Sequence, residues 1–259
     1  MNILFVADVV GVPGRAALQE RLPSLRDELD VDVCIVNGEN AADGVGITPK
    51  LVRKLLEYGV DAITLGNHTW RRPDLAGWIE STDRVARPAN LSRHAPGTGL
   101  AVVPARDETP VAVISIMGSL FLDVAHGPFE LIDDLVEEAR AQTPVVFVDI
   151  HAEATSEKVA LARWLDGRVT AVVGTHTHVQ TNDARVQPGG TAALTDAGMT
   201  GPHDSVIGVV AEQAISRMRT GLPVRFETAQ ADVRIEGALV ECTADGRATR
   251  IETVRVSVA

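Results

Sequence analysis

Five apolar runs in this chain stop abruptly on polar, chemically capable residues. Ile3 to Ala7 ends at Asp8, Val31 to Val36 runs into Asn37-Gly38-Glu39-Asn40, and Ala62 to Leu65 into Gly66-Asn67-His68. Val145 to Ile150 ends at His151, and Val169 to Val173 at Gly174-Thr175-His176-Thr177-His178. Short runs of this composition read as buried β-strands. Between them lie stretches with helical spacing: Ala16 to Leu29 puts Leu18, Leu22, Leu25 and Leu29 on one face. Thr48-Pro49 is an N-cap followed by proline at the first helical position, opening a helix through Tyr58 that Gly59 closes. Further helices are expected over Arg72 to Ile79, Glu130 to Ala141 and Ser156 to Leu165. This alternation constrains the chain to parallel strands joined by helical crossovers. Polar groups that follow such strands collect on one edge of the sheet, where α/β proteins build their sites.

The alternation breaks in two places. Gly99 to Val103 and Val111 to Ile116 are strands separated by a turn-like segment from Pro104 to Pro110, which predicts a hairpin. From Val224 onward the chain alternates in period two, through Ala231 to Glu236, Ala238 to Cys242 and Thr249 to Val258, with Gly237 and Asp245-Gly246 placed at expected turns. An antiparallel set therefore closes the chain. A four-layer α/β/β/α sandwich with two mixed sheets fits this order better than a doubly wound sheet. No linker, low-complexity tract or repeat divides residues 1–259, so a single domain is expected.

The formal charge of −11 argues against an extended nucleic-acid surface, which needs a basic footprint. It leaves room for a small phosphorylated substrate, because bound metal supplies local positive charge. Lysine occurs only at Lys50, Lys54 and Lys158. Cys34 lies in an apolar run and reads as a buried thiol rather than half of a disulfide with Cys242. No leader-like segment precedes the first strand, and no run reaches the ~20 apolar residues of a membrane span. The expectation is a cytoplasmic protein with no membrane contact.

The strand-end clusters supply carboxylate, amide and imidazole groups, the donors that divalent metals of intermediate hardness accept. Singly, Asp8 reads as a cap or turn residue and Glu39-Asn40 as a polar loop. His176-Thr177-His178 is the strongest element, because residues two apart in extended chain face the same side and bring both imidazoles to one place. His151 stands at the same position after its own strand. His94, His126 and His203 lie in loops without that context, although glycine or proline beside His126 and His203 makes them candidates for a cleft wall.

In chain order these clusters resemble the motif series of the calcineurin-like metallophosphoesterases. The departures narrow the match: Val10 stands where the first motif has histidine, Glu39 where a bridging aspartate is usual, Thr69 after Asn67-His68, and Thr175 before His176. Asp8-Val9-Val10-Gly11, Asn37-Gly38-Glu39-Asn40-Ala41-Ala42, Gly66-Asn67-His68-Thr69-Trp70 and Thr195-Asp196-Ala197-Gly198-Met199-Thr200-Gly201-Pro202 are similar to the YmdB-like branch. The resemblance implies a dinuclear iron or manganese site, iron first, and phosphodiesterase activity on cyclic nucleotides, with 2′,3′-cyclic AMP the first substrate to test. Asp8, Glu39, Asn40 and His178 would hold one ion, and Glu39, Asn67, His151 and His176 the other, with Glu39 bridging. Asn40 would make up for the histidine absent at Val10. The implied chemistry is attack on phosphorus by a metal-activated water, with His68 as general acid.

Two other readings use the same residues. One is a phosphomonoesterase or nucleotidase, and the other a metal-bound regulatory or scaffold protein whose hydrolysis is incidental. Arg15, Arg71 and Arg72 lie just beyond the ligand-bearing strand ends, placed either to touch a phosphate or to sit solvated at helix ends. Thr195 to Pro202 is left between a substrate rim and a subunit contact. A homo-oligomer is an expectation from the family alone.

Overall fold

In the computed structural model, which describes residues 1–258, the strand ends above are brought together by two sheets. In chain order the elements are β1 (Asn2–Val6), α1 (Gly11–Glu28), β2 (Val33–Asn37), α2 (Pro49–Glu57), β3 (Ala62–Thr64), β4 (Val85–Ala86), β5 (Leu100–Pro104) and β6 (Pro110–Met117). There follow α3 (Pro128–Arg140), β7 (Val146–His151), α4 (Thr155–Trp164), β8 (Ala171–Thr175), β9 (Arg185–Val186), β10 (Ala192–Leu194), β11 (Gly201–Pro202), α5 (Ala211–Thr220), β12 (Val233–Cys242) and β13 (Ala248–Ser257). The first sheet runs β11-β12-β1-β2-β3-β4, with β13 paired to β12, and the second runs β5-β6-β7-β8-β10-β9. β1, β2, β3 and β4 are parallel, as are β6, β7 and β8. β12 and β5 make each sheet mixed by pairing antiparallel with β1 and β6.

Strand alternation builds the layers. Leu4 and Val6 face outward onto Leu18, Leu22 and Leu25 of α1 and Val52 and Leu55 of α2. Ile3 and Phe5 face inward and meet Val111, Val113 and Phe147 of the second sheet. The Phe5 and Phe147 rings lie 5.1 Å apart across that seam. On the far side, Ile114, Val146 and Val148 pack against Ile132 and Val136 of α3 and Leu161 of α4. The result is the four-layer α/β/β/α sandwich with two mixed sheets.

Several local expectations give way. α1 begins at Gly11, five residues before the apolar stripe, because Pro13 is tolerated in a first turn whose N–H groups need no helical partner. Arg72 to Ile79 is not an α-helix but two short 3₁₀ turns, Pro73–Leu75 and Ile79–Ser81. Gly77 interrupts the stretch, and the buried Leu75 and Ile79 hold it. Gly237 marks no turn: β12 runs straight through it, paired with Val6 of β1, and the glycine is required because a Cβ there would collide with the Phe5 carbonyl oxygen. The turn falls at Asp245-Gly246, where Gly246 takes φ +82°.

Among the described residues no helix is long and apolar enough to cross a membrane. Both cysteines are free, and they sit in different core layers. Burial pushes the Cys34 thiol up to about 12 and raises that of Cys242. Since the thiolate is the reactive form, iodoacetamide at pH 8 should leave both unmodified in the native protein and label both in urea. Fast labelling of the native protein at Cys34 would contradict the buried placement.

Candidate metal centre

The expected ligands converge where β1, β2 and β3 of one sheet and β7 and β8 of the other end. Glu39 Oε1 lies 3.3 Å from His151 Nε2 and 3.2 Å from His68 Nδ1. Glu39 Oε2 accepts the His68 backbone N–H at 3.0 Å. His151 Nε2 is 2.9 Å from Asn67 Oδ1 and 3.1 Å from His176 Nδ1. On the other flank, His178 Nε2 is 3.5 Å from Asp8 Oδ1 and 3.2 Å from Asn40 Nδ2. Asn40 Nδ2 also lies 3.2 Å from Glu39 Oε1, so Glu39 and Asn40 join the two halves into one cluster.

Neighbouring groups set which nitrogen of each imidazole faces inward. The His178 Nδ1–H donates to the Ile207 carbonyl at 3.0 Å, leaving Nε2 for the cluster. The His151 Nδ1–H donates to Thr175 Oγ1 at 2.9 Å, and that hydroxyl donates to Asp149 Oδ1 at 2.7 Å. Asp149 is buried and also accepts from Thr64 Oγ1 at 2.5 Å and Asn37 Nδ2 at 3.0 Å, so its contacts tie the two sheets together. Burial raises the Asp149 carboxyl to about 6 against the pull of His151 and those three donors. Outer partners of this kind fix ring orientation and tautomer at metal sites.

With Nδ1 committed, His151 Nε2 is the nitrogen turned toward Glu39, Asn67 and His176 Nδ1. Three acceptors crowd that one nitrogen, so the point between them takes a proton on Nε2 or a metal ion. The ligating atoms of Glu39, His151 and His176 all lie within 4.8 Å of one another, a group that could hold a metal ion. Burial by itself lowers the pKa of His151, yet Glu39, Asp8 and Asp149 hold it at about 9. Burial likewise raises that of Glu39, but His151 and His68 keep it well below the usual carboxylate range. The cluster therefore demands positive charge, and its nitrogen and oxygen donors suit a metal of intermediate hardness. Asn40 directs Oδ1 at His68 Nδ1, 2.7 Å away, and Nδ2 at the acceptors. A half-turn of the amide exchanges the two and puts Oδ1 among Asp8, Glu39 and His178.

Gly66 makes the approach of Glu39 to His151 possible, since a Cβ there would overlap Glu39 Oε2 and His151 Nε2. Gly66→Ala should lower metal affinity about ten- to a hundredfold, the scale of a disturbed ligand shell. Metal analysis after equilibrium dialysis checks this, and wild-type affinity would contradict the packing.

His176 and His178 converge by a different route from the one the spacing predicts. β8 stops at Thr175, and His176 and His178 take φ +94° and +62°, so left-handed backbone rather than strand pleat aims the rings. Such conformations cost non-glycine residues energy and persist where surrounding contacts hold them. The holder is the Thr195 to Pro202 segment, a strut that is buried except at half-buried Thr195. Asp196 Oδ2 accepts from Thr177 N at 3.2 Å, Thr177 Oγ1 at 2.6 Å and Lys158 Nζ at 2.7 Å. Thr200 N donates to the Asp8 carbonyl at 2.9 Å, and Val10 N donates to the Thr200 carbonyl at 2.9 Å.

Two of the three arginines do not point at the cluster. Arg15 donates to the Ala41 carbonyl, and Arg72 to the Ala42 and Val45 carbonyls, so both brace the loop carrying Glu39 and Asn40. Arg71 lines a hollow next to Asn67. His126 lies 3.7 Å from Glu130, and His203 Nε2 is 3.2 Å from the Met199 carbonyl, neither in the cluster. Sequence reasoning passed over Asp149, Lys158 and Glu153, whose Oε2 lies 3.1 Å from His176 Nε2. Asp149 carried one usable signal: it is a lone charge inside an apolar stretch.

A four-layer sandwich with this carboxylate, amide and imidazole edge has the architecture of the calcineurin-like metallophosphoesterases. A crystal structure of a hypothetical protein from Thermus thermophilus superposes with a TM-score of 0.92 at 40% identity, covering 99% of both chains. A crystal structure of a phosphatase from Mycoplasma pneumoniae gives 0.90 at 33%, over 99% of this chain and 93% of that one. A 2′,3′-cyclic-nucleotide 2′-phosphodiesterase of Bacillus subtilis (strain 168) is 45% identical over 258 residues, 99% of this chain and 97% of the relative. The family model described as YmdB-like protein matches residues 4–254, and the chain belongs to that family.

Proposed function

We propose that the protein is a two-metal phosphodiesterase that opens 2′,3′-cyclic nucleotides, 2′,3′-cyclic AMP first among them, and that residues 1–259 act as one domain. The observation that carries this reading is the ring of acceptors around His151 Nε2 in a chain 45% identical to a 2′,3′-cyclic-nucleotide 2′-phosphodiesterase. Asp8, Glu39, Asn40 and His178 would hold one ion, and Glu39, Asn67, His151 and His176 the other. Iron or manganese suits the mixed donor set, which has no sulfur. When bound, such ions supply Lewis-acid charge and a water of lowered pKa.

The chain's own residues do the rest. Glu39 is shared by both halves, so its position sets their spacing. Thr175 and Asp149 keep the His151 proton on Nδ1 and so keep Nε2 a ligand. His68 engages the cluster through Nδ1, while its side chain stays 26% exposed and leaves Nε2 for substrate. From there it gives a proton to the ribose 2′ oxygen as that oxygen leaves phosphorus, and the product is the 3′-phosphate.

The test joins metal analysis of the purified protein to hydrolysis of 2′,3′-cyclic AMP, 3′,5′-cyclic AMP and 3′-AMP. The expected result is about two iron or manganese ions per chain, preference for the 2′,3′-cyclic ester, and loss of turnover on chelation. Full activity after chelation would sink the two-metal reading, and faster release of phosphate from 3′-AMP would make the protein a phosphomonoesterase.

A further inference from the structure

We propose that the hollow beside Asn67 is a nucleobase subsite, in which the base of the substrate stacks against Phe121. This rests on the phosphodiesterase reading and adds what holds the nucleoside. The hollow measures about 520 Å³ and is lined by Asn67, Trp70, Arg71, Leu91, Met117 and Phe121, among others. That volume is in the range of small-molecule sites, which run ~300–1,000 Å³. On the other flank, the hollow that includes Val10 and His178 is about 90 Å³. Of the two, the hollow on the Asn67 side is the roomier place for the base of a nucleotide whose phosphate lies at the cluster.

Phe121 is the unusual residue. Its side chain is 87% exposed, and its φ of +67° is a left-handed conformation that a bulky residue adopts only when held there. The holding contacts lie at both ends of its loop. Glu157 Oε1 accepts the Ser119 N–H at 2.7 Å and the Leu120 N–H at 3.2 Å. Asn90 Nδ2 donates to the Met117 carbonyl at 2.8 Å and the His126 carbonyl at 3.2 Å, and its backbone carbonyl accepts from Ala125 N at 3.0 Å. Between these pins, residues 121 to 123 form a tip that carries an exposed aromatic ring. Stacking on a flat partner would take that ring's apolar face out of water.

The walls fit an aromatic heterocycle better than a purely apolar guest. Trp70 and Leu91 provide the apolar faces, while Arg71 and Asp123 provide a donor and an acceptor at the rim. Among the described residues Arg71 makes no ion pair, so its guanidinium is available to a ring nitrogen or carbonyl. Stacking is sequence-tolerant, which predicts that purines bind more tightly than pyrimidines without either being excluded.

The test compares 2′,3′-cyclic AMP with ribose 2′,3′-cyclic phosphate, which has the same reacting group and no base. In Phe121→Ala the ratio of kcat/KM on the nucleotide to kcat/KM on the baseless ester should fall about tenfold, the order of one lost stacked base. The change should sit in KM. An unchanged ratio would overturn the subsite. If the wild-type protein hydrolyses neither ester, the phosphodiesterase reading has failed, and the subsite is judged by calorimetric binding of 3′-AMP. Binding about tenfold weaker to Phe121→Ala supports it, and equal or undetectable binding to both proteins rejects it. Because Phe121 is on the surface, the variant folds, and thermal unfolding at the wild-type midpoint verifies that.

Discussion

In His68→Ala, kcat on 2′,3′-cyclic AMP should fall ~10²–10⁴-fold while the metal content of the purified protein stays at the wild-type value. The two halves of that outcome follow from separate contacts. Glu39 is held by the backbone N–H of residue 68, at 3.0 Å, which alanine retains. Asn67, not His68, supplies the oxygen 2.9 Å from His151 Nε2. What alanine removes is an imidazole anchored on Asn40 and Glu39 with its outer nitrogen open to substrate. Leaving-group chemistry separates acid catalysis from a general disturbance of the site. In a p-nitrophenyl phosphodiester the P–O bond breaks to release p-nitrophenolate, a stable leaving group that needs no proton, so its hydrolysis should suffer far less than opening of the ribose ester. Equal losses on both esters, or loss of metal, would remove His68 from the general-acid role.

The strand-end clusters were legible because a strand carries its own direction. An apolar run that stops at a polar residue fixes which end of its sheet that residue occupies: parallel order puts Asp8, Glu39 and Asn67 at one end of the first sheet, and His151 stands at the matching end of the second. What the sequence hid was anything set by contacts distant in the chain. His176 and His178 look like neighbours on a pleat, but they reach the cluster through two left-handed residues held by Asp196, well beyond them in the chain. Gly237 looks like a turn glycine until β1 is laid beside it and the Phe5 carbonyl fills the space. The stretch after Arg72 has helical apolar spacing, yet Leu75 and Ile79 are satisfied by 3₁₀ turns against the first sheet. α5 went unread because only Ala214 of its residues is buried, which leaves no apolar stripe to find.

Val10 illustrates how the missing motif histidine is accommodated. Its side chain is buried, and Gly201 and Gly208 both lie close enough that a Cβ on either would press against it. The position is therefore filled by packing that closes the Thr200 strut onto the start of α1. Asn40, 3.2 Å from His178, is the neighbouring polar group that faces the same half of the cluster. Val10 fills the histidine's place by packing against the strut, and the ligand role proposed for Asn40 would supply the donor from the neighbouring loop.

That strut bears the second large effect. Lys158 and Asp196 form a fully buried pair, with Nζ 2.7 Å from Oδ2, directly under the loop between the two imidazoles. Removing one member of such a pair leaves the other charged and desolvated, so Lys158→Met should cost ~3–5 kcal/mol of stability. It should appear as a lower urea midpoint with an unchanged slope. The same substitution should release metal, because Asp196 Oδ2 also receives the Thr177 N–H and hydroxyl that hold His176 and His178 in their left-handed backbone. Adding Asp196→Asn to Lys158→Met removes the stranded charge while keeping an oxygen for Thr177. The double variant should therefore recover much of the lost stability and part of the metal binding. A cost below ~1 kcal/mol for Lys158→Met, the size of an exposed ion pair, would mean that the pair is not desolvated and that the strut does not hold the histidines.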